Sequence, residues 1–249
     1  MKIYVLPSIS EKLPQGRYLW VALDVIRATS TIVTFFACGG KRIFVSASIR
    51  EARRIKRENP ETLLIGERGG VKIAGFDLDN SPTEIMENSP LIKGKHAVLT
   101  TTNGTRLLRK LLKNNKKVII GSMINLDAVV NLVLNTLSVD SLDGIGIACA
   151  GKEGNFVSDD FYCAGVMVSR LRDFLGDVEL NDAALVAESW ALKSDAFDVF
   201  LNSASGKNAI IHGRYKDVEF CSKLNLFDIV PFAIDGGEVL LEDALLEKI

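Results

Sequence analysis

The residues 100–106, Thr100-Thr101-Thr102-Asn103-Gly104-Thr105-Arg106, break a short apolar run into hydroxyls, an amide and a glycine before Leu107-Leu108 resumes a helix-like pattern. A strand that delivers polar donors to the start of a helix holds anions well, because the free amide N–H groups and the helix dipole both favour negative charge there. Thr100, Thr102, Asn103, Gly104 and Thr105 are therefore candidate anion-binding residues, with Asn103-Gly104 supplying the backbone freedom for a cradle of amides. A plainer reading makes the threonines strand and cap residues only.

The other chemistry-bearing groups are oxygen acids and cations. Asp24, Glu67, Asp77, Asp159 and Asp160 are the hard ligands that Mg²⁺ prefers. Arg27, Arg68 and Arg106 each closely follow an expected strand end, where a guanidinium makes bidentate contacts to phosphate, carboxylate or sulfonate, and Lys152 adds a mobile charge. The chain has only two histidines, His96 and His212, which leaves a Ser-His-Asp triad or a zinc site short of residues. Residues 66–75 hold no dinucleotide-binding glycine pattern, and Ser205-Gly206-Lys207 lacks the spacing of a nucleotide P-loop. Asp77-Leu78-Asp79 resembles the start of an aspartyl-phosphate motif, but the segment before it is short and glycine-broken where an apolar strand is needed.

These residues need elements to position them. Strands are expected at 18–25, 43–47, 63–65, 96–100, 117–121 and 144–150, and helices at 28–38, 48–58, 81 onward, 104 onward, 125–137 and 158–175. Ser48 with Glu51, and Ser81-Pro82-Thr83-Glu84, carry N-terminal capping signatures. The alternation predicts an α/β fold, a three-layer α/β/α arrangement with a largely parallel sheet and ligands at the carboxyl ends of its strands. Residues 1–178 read as the α/β catalytic core. Residues 179–249 read as a mainly helical C-terminal region packed on it and covering the sheet, with a short strand at 238–241 and no independence as a domain.

Composition narrows the class. Hydrophobic residues make up 47% of the chain, enough for a large core, and the net charge of -1 gives no field for nucleic acid or an anionic membrane. Any anion site must be built locally. The dispersed cysteines Cys38, Cys149, Cys163 and Cys221 read as reduced thiols, and with no apolar leader or membrane-length segment a cytoplasmic protein is expected. A homodimer is the default assembly, closed pairs being the commonest homo-oligomers.

The chain resembles the 2-phosphosulfolactate phosphatase family, enzymes of coenzyme M and sulfolactate metabolism. The likeness runs in order over roughly residues 20–170, through Asp24-Val25-Ile26-Arg27-Ala28-Thr29-Ser30-Thr31, Gly66-Glu67-Arg68-Gly69-Gly70, Gly75-Phe76-Asp77-Leu78-Asp79-Asn80-Ser81-Pro82, the threonine run, Gly121-Ser122 with Asn125, and Ala150-Gly151 onward to Asp160 and Ala164-Gly165. The resemblance implies Mg²⁺-dependent hydrolysis of (2R)-2-phospho-3-sulfolactate to 3-sulfolactate and phosphate. With it go expected roles: Asp24, Arg27, Glu67 and Arg68 as catalytic residues, Asp24, Glu67 and Asp160 as metal ligands, and Thr100, Thr102, Asn103 and Thr105 on the phosphate. Arg106, Asn125 and Lys152 are expected around a sulfonate. Attack by water and attack by Asp24 are both open. Two departures from the family pattern stand out: Asp79 replaces a usual glycine and Asp159 a usual glutamate. The alternatives are a phosphatase of another phosphorylated 2-hydroxy acid and a non-catalytic small-anion-binding protein.

Overall fold

The computed structural model describes residues 1–113, 115, 117–137 and 142–241. In chain order the elements are β1 (Lys2–Leu6), β2 (Tyr18–Leu23), α1 (Ala28–Ala37), β3 (Arg42–Val45), α2 (Ile49–Glu58), β4 (Leu63–Arg68), β5 (Val71–Lys72), α3 (Pro82–Glu87), α4 (Ser89–Ile92), β6 (His96–Thr100) and α5 (Gly104–Leu112). They continue with β7 (Lys117–Gly121), a 3-10 turn (Met123–Asn125), α6 (Leu126–Leu137), β8 (Gly144–Cys149), α7 (Ser158–Leu175), β9 (Glu179–Leu180), α8 (Asp182–Ala191), α9 (Ala196–Asn202), α10 (Ala204–Ile211), α11 (Tyr215–Ser222), β10 (Pro231–Ile234) and β11 (Glu238–Leu241).

Strand pleating explains the layers. Val21 and Leu23 of β2 point to one face and Trp20 and Ala22 to the other, and both sets are buried, so the sheet needs helices on two sides. Ile145 and Ile147 join the first face, where Leu126, Val129 and Val133 of α6 and Phe161, Met167 and Val168 of α7 cover them. On the second face Ile32, Phe35 and Phe36 of α1 and Leu107, Leu108 and Leu111 of α5 pack on Trp20, Ile120, Leu99 and Ile65. The result is the three-layer α/β/α arrangement.

The eleven strands run in the order β5-β4-β6-β3-β11-β10-β7-β2-β8-β1-β9. Two parallel blocks, β4-β6-β3 and β7-β2-β8-β1-β9, flank an antiparallel hairpin, β10-β11. That hairpin adds an interior pair of strands to the expected helical C-terminal region. Helices α8 to α11 do pack on the core, but the chain then returns to the sheet centre: Phe232 pairs with Ile119 of β7, and Val239 pairs with Ile43 of β3. The expected strand at 238–241 is therefore an interior one; the final residues, 242–249, lie outside those described. The 203–207 break is a helix start, with Ser203 accepting a hydrogen bond from the Gly206 amide at 2.8 Å.

Capping sets the element starts as expected. Ser48 Oγ accepts the Glu51 amide at 3.1 Å, and Ser81 Oγ accepts that of Glu84 at 3.2 Å. The α7–α8 contact depends on a missing side chain. A methyl group on Gly165 would stand 2.1 Å from the Ala187 carbonyl oxygen. Gly165→Ala is expected to lower stability by about 1–3 kcal/mol through overpacking, read as a lower urea midpoint at unchanged slope.

Candidate active site

The carboxyl ends of β2, β4, β6 and β8 open into one cleft of about 530 Å³ including its mouth. Asp24, Ile26 and Arg27 come from the β2–α1 connection, and Glu67, Gly69 and Gly70 from the β4–β5 hairpin. Thr102 and Asn103 come from the β6–α5 junction and Lys152 and Glu153 from the loop after β8; Asn80 lines it too. A fifth contributor is unexpected: Ser205, Asn208 and Ala209 of α10 close the cleft.

Of the residues expected at the site, Asp24, Arg27, Glu67, Thr102, Asn103 and Lys152 line this cleft. The others sit elsewhere for definite reasons. Arg68 spends its guanidinium on the Glu67 carbonyl at 2.6 Å and the Thr100 hydroxyl at 2.7 Å, which removes Thr100 as well. Thr105 turns inward, its hydroxyl donating to the Thr101 carbonyl at 3.0 Å. Arg106 is exposed on the outer side of α5. Asn125 is a fully buried cap: its Oδ1 accepts the Ser122 amide at 2.9 Å and its Nδ2 donates to the carbonyls of Ile120 and Ile229. Gly104 does not line the cleft but makes room for it, since a methyl group there would stand 2.7 Å from Asp24 Oδ2.

The lining side chains are themselves oriented. Glu67 accepts the Thr102 amide at 2.7 Å on Oε1, and the Gly70 amide at 2.7 Å and the Thr102 hydroxyl at 3.2 Å on Oε2. Thr102 thus gives both donors to Glu67 instead of to an anion. Asn103 Oδ1 accepts the Glu153 amide at 3.1 Å, tying the loop after β8 across the cleft. Glu153 holds a positive φ of 53°, a sparsely populated conformation for a residue with a side chain. Asn208 reaches from α10 to the Gly69 carbonyl at 3.3 Å.

Arg27 is not a free cation. Its Nη1 donates to Asp217 at 3.0 Å and to Asp79 at 3.2 Å, its Nη2 to the Gly70 carbonyl at 3.2 Å, and the residue is buried. Asp217 also accepts the hydroxyls of Ser81 at 2.7 Å and Thr83 at 2.6 Å, and Asp79 pairs with Arg214 at 2.8 Å. Asp217 and Arg214 escaped sequence reading because charges near α11 look like a solvated helix face. The sequence signal for Ser205 and Asn208 is Ser203, whose hydroxyl caps the start of α10.

Negative charge accumulates below the cleft. Burial is the main force raising the Asp24 carboxyl to about 7, with Glu67 and Asp159 adding repulsion, while the Ala28 amide and Arg27 oppose the shift. Burial also raises Asp159 to about 6 and Asp160 well above the carboxylate range. Asp160 is satisfied by the amides of Val25 at 2.8 Å and Gly151 at 3.0 Å, one on each oxygen. It pins the β2–α1 and β8–α7 connections together, a positioning task in place of the expected open metal ligand. Among the described residues no three histidine, cysteine or acidic side chains are grouped as a ready-made metal cage. The donor set nonetheless suits a hard divalent cation: Asp24 faces the cleft with Oδ2 free of hydrogen bonds, and the burial and repulsion that raise its carboxyl are the forces a bound cation would oppose.

A doubly wound α/β sheet with an acidic, glycine-walled cleft at its strand ends defines a small-molecule enzyme of the α/β class. The family model for 2-phosphosulpholactate phosphatase matches residues 6–236. Curated relatives named probable 2-phosphosulfolactate phosphatase include one from Carboxydothermus hydrogenoformans, 37% identical over 91% of this chain and 91% of its own length. Another, from Thermotoga petrophila, is 37% identical over 89% and 92%, and one from Deinococcus radiodurans is 33% identical over 91% and 93%. The chain belongs to the 2-phosphosulpholactate phosphatase family, whose named activity is that of phosphoric monoester hydrolases.

Removing the Arg27 guanidinium takes from buried Asp217 the arginine that answers its charge and from buried Asp79 one of its two arginines. Arg27→Ala is expected to cost about 3–5 kcal/mol of folding stability at neutral pH, measured by urea denaturation, a loss distinct from any effect on turnover.

Proposed function

We propose that the protein hydrolyses (2R)-2-phospho-3-sulfolactate to (2R)-3-sulfolactate and phosphate with Mg²⁺ as cofactor. The observation that carries this reading is the pairing of an unneutralised acidic floor with anion donors at the rim of one small cleft. Asp24 would hold the cation, with Glu67 adding charge across the cleft. Magnesium bound there supplies charge neutralisation to a phosphoryl group that is losing its ester oxygen.

The chain's own groups do the rest. The N-terminus of α5, held directly against Asp24 by Gly104, offers a positive dipole end and the Gly104 amide to phosphate oxygens, the amides of Thr105 and Arg106 being taken by Thr101 and Asn103. Asn103 Nδ2 is available because Glu153 occupies only its oxygen. Among the described residues Lys152 lines the cleft with no ion pair to a carboxylate, unlike Arg27, and so is the cation we assign to the sulfonate, a permanent anion that only accepts hydrogen bonds. Ser205 and Asn208 narrow the opening from the α10 side, excluding longer chains. Small polyanions are the expected ligands. No helix among the described residues is long and apolar enough to cross a membrane. A cytoplasmic location and a homodimer accompany the proposal.

Phosphate release from a panel of phosphorylated 2-hydroxy acids tests it: turnover of phosphosulfolactate with Mg²⁺ and its loss with EDTA are expected. Asp24→Asn should lower turnover about a hundred- to a thousand-fold while the protein stays folded. Near-wild-type rates in that variant, or no release from any member of the panel, would overturn the reading.

Lys152→Ala is expected to raise KM for phosphosulfolactate about ten-fold or more and to change KM for phospholactate little, consistent with a lost charge-assisted contact. Equal effects on the two substrates would remove Lys152 from the sulfonate.

A further inference from the structure

Among the described residues, Asp159 is the buried acid beside the cleft that is left with no hydrogen bond or ion pair on either oxygen. Its neighbours are different: Asp160 takes two amides, Glu67 takes two amides and a hydroxyl, and Asp79 and Asp217 take arginines. Leaving a carboxylate buried and unpartnered is costly, so such a group either carries a proton or meets a cation.

Its surroundings point to the cation. The amide of Ile26 and the hydroxyls of Ser203 and Ser205 are close enough to favour its charged form, yet none makes a hydrogen bond of normal geometry. The Ser203 hydroxyl already donates to the Phe200 carbonyl at 3.0 Å. Ile26 and Ser205 line the cleft, which places Asp159 immediately behind its wall, and its carboxylate is near enough to disfavour the charged form of Asp24. Asp159 with both oxygens free and Asp24 with Oδ2 free leave three carboxylate oxygens that no protein donor claims, the donor type a hard divalent cation takes. Magnesium commonly takes one or two protein carboxylates and leaves its other positions to water and substrate phosphate.

We propose that Asp159 is the second protein ligand of the cation held by Asp24, and that its neighbour Asp160 serves only to fix the two loops that present Asp24. The inference rests on the metal-dependent reading above. It assigns opposite tasks to two adjacent acids of α7: one gives its oxygens to backbone amides and the other keeps them for the ion.

Binding of Mn²⁺ alone to the full chain, followed by electron paramagnetic resonance and by the metal-induced rise in thermal midpoint, tests the proposal without reference to turnover. Asp159→Asn is expected to weaken Mn²⁺ binding about ten-fold or more and to abolish the midpoint rise. In EDTA its midpoint should equal or exceed that of the wild type, because an uncompensated buried charge has gone. Asp159→Glu, which keeps the carboxylate, should retain Mn²⁺ binding within about ten-fold. Wild-type Mn²⁺ affinity in Asp159→Asn would overturn the assignment and leave the metal-dependent reading standing. A midpoint well below wild type in EDTA would also overturn it, marking Asp159 as a structural residue. Absence of Mn²⁺ binding by the wild type, with and without inorganic phosphate, would overturn the assignment and the metal reading together.

Discussion

A buried guanidinium must be answered by charge and hydrogen bonds or the fold around it fails, and Arg27 imposes that condition on three parts of this chain. Asp79 answers from the loop before α3, Asp217 from α11, and the Gly70 carbonyl from the β4–β5 hairpin. Because Asp217 also accepts from Ser81 and Thr83, the same carboxylate caps the start of α3. The α8–α11 segment is thereby fixed against the core at the level of the cleft, and α10 becomes one of its walls. An arginine that looks like an anion-binding group acts mainly as the joint between two halves of the molecule.

Beneath that joint the charge balance reverses. Asp24, Asp159 and Asp160 are raised by burial, and the helix starts of α1, α5 and α7 surround them. Helix N-termini favour anions, which lets acids collect there at less cost than elsewhere in the interior. They also favour the substrate's phosphate, so the same dipoles serve a protein anion and a bound one. The proposed cation would sit between the two.

Much of this was legible in the residues. Ser48 and Ser81 announce helix starts, and the change from apolar to hydroxyl at Thr100 announces a strand meeting a helix. The site residues legible in sequence were those in the turns directly after strands: Asp24, Glu67, Thr102, Asn103 and Lys152. What stayed hidden depended on long-range partners. Thr102 and Glu67 each look like ligand-facing groups until their mutual hydrogen bonds are seen. Asp159 and Asp160 are adjacent on one helix, and only the fold decides which meets the amides of Val25 and Gly151. β10 is four residues beginning with proline, too short for periodicity to reveal that it pairs with β7.

The position of that hairpin governs how the chain can be built. The two parallel blocks join only once β10 and β11, which follow the other described strands in the chain, pair between them. Until then β3 and β7 each present an unpaired strand edge, a hazard for association with other chains. The sheet therefore closes like a span whose keystone is set last, and the contacts that close it link residues far apart in sequence, a topology that favours slow folding.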